Sequence, residues 1–68
     1  MSYVILCRNV SDVNSRFRPI LHYRVKKSDN SFHLSVLSFR DYPSALYYML
    51  SLKELDYNNS FVYKIKEF

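Results

Sequence analysis

The sequence holds no glycine and no tryptophan, a single alanine (Ala45), two prolines and one cysteine. Without glycine there is no phosphate-cradling loop of the P-loop or dinucleotide-binding kind, whose tight turns require that residue. A lone Cys7 cannot close an internal disulfide or supply a structural zinc site. No run of ~18 apolar residues is present, so no stretch reads as a membrane span. The opening residues lack a basic segment ahead of their short apolar run and do not read as a signal peptide. With 68 residues and a formal charge of +4, one compact domain over residues 1–68 is expected. Most enzymes that need a deep cleft between layers are excluded by that length.

What is present is apolar and aromatic: 49% of residues are hydrophobic and 18% aromatic, chiefly seven Tyr and five Phe. That content excludes a disordered chain at such modest charge. A soluble, cytoplasmic α+β domain is the expectation. Below ~70–80 residues one core rarely supplies more than ~3–5 kcal/mol, so self-association is a natural source of further burial and a homodimer is expected.

Residues 3–8 are rich in the β-branched and aromatic types that suit a strand. Residues 9–18 form a polar connection, with a turn of helix expected behind Ser11 as cap and Pro19 limiting it. Residues 20–27 and 31–39 both alternate, separated by Ser28-Asp29-Asn30. Lacking glycine, Asp29-Asn30 is the best two-residue turn, because Asp and Asn tolerate positive φ. That turn sets Val25 against Leu34 and Tyr23 against Val36. Leu21, Tyr23, Val25, Phe32, Leu34 and Val36 then share one face, read as the core face. The opposite face carries His22, Arg24, Lys26, His33 and Ser35, with Ile20, Leu37 and Phe39 at its other end.

A helix is expected over residues 43–55, with Pro43 in its first turn and Asp41 or Tyr42 as cap. Ala45, Tyr48, Met49, Leu52 and Leu55 fall on one stripe, flanked by Leu46, while Tyr47 and Leu50 fall outside it. Asn58-Asn59 stands where glycine usually ends a helix. Residues 60–68 form a last strand, with Phe61, Tyr63 and Ile65 inward and Val62, Lys64 and Lys66 outward. The order β-β-β-α-β gives a four-stranded, mainly antiparallel sheet with one helix on one face. The last strand can pair in parallel with the first or lie beside the third through a right-handed crossover, and the first is the favoured neighbour.

Chemistry-bearing constellations are few. The register above separates His22 from His33 by ~13 Å at ~3.3 Å per residue, too far to share a metal. Cys7 paired with a histidine is the sole covalent option, and it lies in an apolar strand where free cysteine behaves as a small hydrophobe. The six carboxylates are scattered beside turns and caps, and none pair for acid–base work. No enzyme, metal or cofactor is expected.

Phe, Tyr, Met, Ile, Asn and Lys together number 27, against eight for Gly, Ala, Arg and Pro. The first set has AT-rich codons and the second GC-rich ones. In composition and size alone the chain resembles the small accessory proteins of bacteriophages and mobile elements. That resemblance implies a host-takeover or anti-defence role in a host cytoplasm, in which the protein inhibits a host factor. From the residues themselves, a non-enzymatic interaction protein is expected, with a protein partner ahead of nucleic acid and no membrane. The expected binding surface is the outer sheet face: Ile20, His22, Arg24, Lys26, Leu37, Phe39, Lys64 and Lys66. There an apolar centre rimmed by cations matches the anatomy of an interface. Phe17 or Val13 of the 9–18 loop is the alternative lid over its apolar end. Tyr47 and Leu50 on the helix form a secondary surface. The alternative function is a small nucleic-acid-binding regulator in which the same cations hold phosphates.

Overall fold

A computed structural model describes all 68 residues. Its elements are β1 (Tyr3–Asn9), β2 (Arg18–Pro19), β3 (Leu21–Lys26), β4 (Ser31–Val36), β5 (Ser38–Phe39), α1 (Tyr42–Leu55) and β6 (Phe61–Glu67). The chain is an α+β domain: strands in antiparallel array with a helix packed against the sheet. Each of the two long middle strands breaks in two, at Ile20 and at Leu37, and that break decides the architecture.

β1 is the central strand. Along one side β6 pairs with it over its whole length, from Tyr3 opposite Glu67 to Asn9 opposite Phe61. Along the other side lie both β2, with Leu6 opposite Pro19, and β5, with Val4 opposite Ser38. Pro19 donates no hydrogen bond, which an edge strand tolerates. Between these two pieces the Ile20 N–H donates to the Ile5 carbonyl (3.0 Å) and the Leu37 N–H to the Ile20 carbonyl (2.9 Å). β2 and β5 are thus two halves of one interrupted edge strand. The chain leaves that edge after Ile20 as a hairpin, β3–β4, and returns to it at Leu37.

This interruption corrects the expected direction of the last strand. β6 does lie beside β1, but antiparallel to it. β2 and β5 run the same way along β1 and so count as a single pass. The helix then reverses direction, and β6 starts from the opposite end to the one a three-pass sheet would give.

Local chemistry sets the helix. The Asp41 carboxylate accepts the Ser44 N–H at 2.8 Å, and Pro43 occupies the first turn, where its missing N–H costs nothing. At the exit the Asp56 N–H donates to the Leu52 and Lys53 carbonyls. The Asp56 carboxylate in turn accepts the N–H groups of Ser60 and Phe61, each at 3.0 Å. Asn59 does take φ 50°, but three residues past the Asp56 cap, so it shapes the turn into β6 and does not end the helix as expected.

The helix buries Ala45 and Met49 against the sheet, where Ile5 is 0% exposed. The Phe39 ring meets Tyr48 with centroids 5.5 Å apart, and Tyr3 meets Tyr42 edge-on at 5.8 Å. Leu55, expected in the buried stripe, lies exposed at the helix end. Val4 is buried too, but alternation turns it to the helix-free face. Those four residues, Val4, Ile5, Ala45 and Met49, are the whole of the deep core. It is thin even for this length.

The hairpin stands apart from that core as an arm. Its register pairs Leu21 with Val36, Tyr23 with Leu34 and Val25 with Phe32. This lies two residues from the expected pairing, because the turn spans residues 27–30 rather than Asp29-Asn30 alone. Asn30, at φ 58°, donates its N–H to the Lys26 carbonyl (2.9 Å), and Asp29 accepts the Ser31 N–H (3.0 Å) and hydroxyl (2.6 Å). A slip of two preserves which side chains share a face. It does not provide a cover: α1 packs on β1, β5 and β6, and the six apolar arm residues expected in the core are all exposed. The radius of gyration is 13.6 Å, against about 11 Å for a compact chain of this length. An arm of six residues per strand accounts for the excess.

Candidate interaction surface

The arm sorts its side chains by chemistry. One face holds Leu21, Tyr23, Val25, Phe32, Leu34 and Val36; the other holds His22, Arg24, Lys26, Ser31, His33 and Ser35. On the polar face Arg24 stands opposite His33 and His22 opposite Ser35. The observed register makes His22 and His33 diagonal neighbours, about 7–8 Å apart, rather than ~13 Å. No third His, Cys, Asp or Glu joins them as a metal ligand set. The arm's one carboxylate, Asp29, sits in the turn, where the Ser31 hydroxyl and then its N–H hold it below the usual carboxylate range. The polar face is therefore cationic and uncompensated.

Of the expected surface, the fold brings His22, Arg24 and Lys26 together and adds His33. Lys64 and Lys66 do not join them. They stand opposite Leu6 and Val4 on the helix-free face of the main sheet, and Lys66 borders a recess shared with Val36. Val36 belongs to the apolar face of the arm, so the two lysines lie on its apolar side. Phe39 turns under the helix onto Tyr48, and Ile20 and Leu37 are half-buried where the arm joins the sheet. Tyr47 and Leu50 are exposed on the helix, as expected.

The recess measures about 440 Å³ and is lined by Val4, Leu6, Phe17, Pro19, Val36 and Phe68. Phe17 forms one wall of this recess rather than a lid over Ile20, Leu37 and Phe39: its ring lies under Lys64 Nζ at 4.0 Å, with the Arg8 guanidinium at 5.9 Å. Val13 stays exposed. The 9–18 loop forms no helical turn. The Asn9 side chain accepts the Ser11 N–H and hydroxyl, Asp12 accepts the Asn14 N–H, and Ser15 accepts the Asn9 N–H.

That loop also builds a feature the sequence reading missed. Arg8, Arg16 and Arg18 line a hollow of about 350 Å³ together with Asn9, Asn14 and Phe61, and Asp12 is its one carboxylate. The visible signal was three arginines within residues 8–18, two of them in a stretch read only as a connection. Cys7, opposite Tyr63 and Arg18 in the sheet, lines the same hollow. Burial pushes its thiol up, which keeps it protonated at neutral pH. No helix is long and apolar enough to cross a membrane. Compared with family models, curated proteins and solved structures, the chain matches none.

Proposed function

We propose that this chain is a non-enzymatic binding domain that docks the cationic face of its arm onto an acidic surface of a protein partner. It inhibits or redirects that partner by occupying the surface. The observation that carries the reading is the segregation of the arm. Arg24, Lys26, His22 and His33 share one face of a projecting hairpin, while every large apolar side chain takes the other. Arg24 and Lys26 stand two residues apart on one strand, with Cα atoms about 6.6 Å apart, so both side chains can reach one acidic patch. The net charge of +4 speeds encounter with an acidic surface. The inhibitory role draws on the compositional resemblance to phage accessory proteins. The test is capture from the native host by the wild type and by Arg24→Glu/Lys26→Glu. Both side chains are exposed, so the pair should leave the fold intact by circular dichroism and abolish capture. Glu54→Lys on the helix should be silent. Full capture by the arm variant, with loss in Tyr47→Ala or Leu50→Ala, would move the surface to the helix.

The arginine hollow supports a second reading, a nucleic-acid-binding regulator. Phosphate contacts must weaken steeply with salt. Weak, sequence-independent oligonucleotide binding that vanishes as salt rises is expected from charge alone. Tight binding at physiological salt, lost in Arg16→Glu/Arg18→Glu, would put this reading first.

A further inference from the structure

The apolar face of the arm has no cover within the chain. Tyr23 is 70% exposed and Phe32 69%, and even Val36, at the root, is 43% exposed. An isolated two-stranded hairpin is marginal in water without a third strand or a packed face. We infer that this face is closed by a second copy of the chain, packed face to face about a two-fold axis.

Area supports this occupant. Given their fractional exposures, the six side chains leave on the order of 600 Å² per copy to be covered. The apolar recess continues the same surface through Val36. Together they approach the ~800 Å² per partner of a standard interface. Charge supports it as well. Two copies each carrying +4 meet at least electrostatic cost where the facing surfaces carry few charges. The six-residue face holds none, since Arg24, Lys26 and His33 stand on the opposite side. The one cation beside it is Lys66, which borders the recess.

Shape sets the orientation. The root of the arm is narrow, Leu21 beside Val36, and opens into the recess; the outer end carries Phe32 beside Val25. An axis through the Tyr23–Leu34 pair places Phe32 of each copy over Val36 and the recess mouth of the other. Large then meets small at both ends, as interdigitation requires. The contact is isologous, so it closes at two copies and does not propagate. The cationic faces remain outward on both sides of the dimer.

The test uses the whole chain. Sedimentation at micromolar concentration should give about twice the 8.2 kDa chain mass. Leu34→Glu should raise the dimer Kd by about thirtyfold or more, with faster amide exchange across residues 21–36 and unchanged exchange in β1. Arg24→Glu/Lys26→Glu should lose the acidic partner and keep the dimer, so this inference and the proposed function fail separately. In a Cys7→Ser background, Leu34→Cys should be joined to itself by a short bismaleimide, whereas Glu54→Cys should not. The idea is overturned by a wild-type mass of 8.2 kDa throughout that range, or by a dimer indifferent to Leu34→Glu. It is equally overturned by a dimer in which Leu34→Cys fails to cross-link, or by a monomer that sediments with phosphatidylserine vesicles.

Discussion

The arm and the body are both antiparallel, and both alternate apolar with polar residues, yet they end in different environments. In the body, Ile5 has the helix across its face and is fully buried; in the arm, Leu34 has nothing across its face and stays half exposed. The difference is not in the strands. It lies in the return of the chain at Leu37, which sends the helix back over β1, β5 and β6 and leaves the hairpin beyond its reach. Alternation defines a face, and the topology decides whether anything covers it.

The largest effect that separates the two regions is a cavity. Ile5→Ala should cost about 2–5 kcal/mol in a domain whose core supplies ~3–5 kcal/mol. The variant should be largely unfolded by circular dichroism without denaturant. Val25→Ala, the same kind of truncation on the arm, removes atoms already half in water. Under dilute, monomeric conditions it should shift the urea midpoint only slightly. Equal losses at the two sites would mean that the arm is packed as tightly as the body.

The contrast also marks what could be read from the residues. Which arm side chains share a face was legible, because a period of two survives a register slip of two. The turn and cap chemistry was legible too: Asp29, Asn30 and Asp41 each act where their short side chains or positive φ are needed. Where the hairpin stands relative to the sheet was not legible. That depends on two long-range hydrogen bonds, Ile20 to Ile5 and Leu37 to Ile20, and no local pattern encodes them. The candidate site divides on the same line. His22, Arg24 and Lys26 are neighbours by periodicity, so they were found together. Lys64 and Lys66 do not share that face, because they stand on β6, and where β6 lies relative to the arm follows from no local pattern. The arginine hollow was missed for a related reason: its loop is folded by side-chain hydrogen bonds rather than by a periodic pattern.

Acid offers a smaller probe, since each region has one carboxylate held below the usual range. Asp41 is lowered first by the Ser44 N–H and then by its hydroxyl; Asp29 is lowered first by the Ser31 hydroxyl and then by its N–H. A carboxylate depressed in the native state contributes stability in full above its ordinary value near 3.8. That contribution is lost as pH falls from there through the lower native value. Asp41 caps the helix of the body, so its protonation should lower the global Tm. Asp29 closes the arm turn, so its protonation should speed amide exchange around residues 27–31 and leave Tm unchanged. With Asp41→Ala the Tm should already be lower at neutral pH, by a few degrees, and should fall less on acidification. A matching Tm response to Asp29→Ala would show the arm melting with the body.

The smallest effect comes at the alkaline end and touches the body alone. Cys7 and Tyr63 face each other across β1 and β6 on the side covered by the helix. Burial raises the Cys7 thiol above its ordinary value near 9.0. Burial, then the Asp56 charge, then Cys7 itself raise the Tyr63 phenol above 10.0. In both groups the native fold favours the neutral form. Their contribution is therefore complete below the ordinary values and is lost as pH rises through the raised native ones. Thermal melts should show a shallow decline of Tm beginning near pH 9, and Cys7→Ser should remove its earlier part. Tyr63→Phe should remove the later part. The Cys7 thiol should also react with a soluble maleimide at neutral pH more slowly than the same cysteine in the urea-unfolded chain, because little of it is thiolate. Exchange at the arm amides, corrected for the intrinsic rise of exchange with pH, should show no step in this range. A step there, coincident with the Tm decline, would mean that arm and body open as one unit.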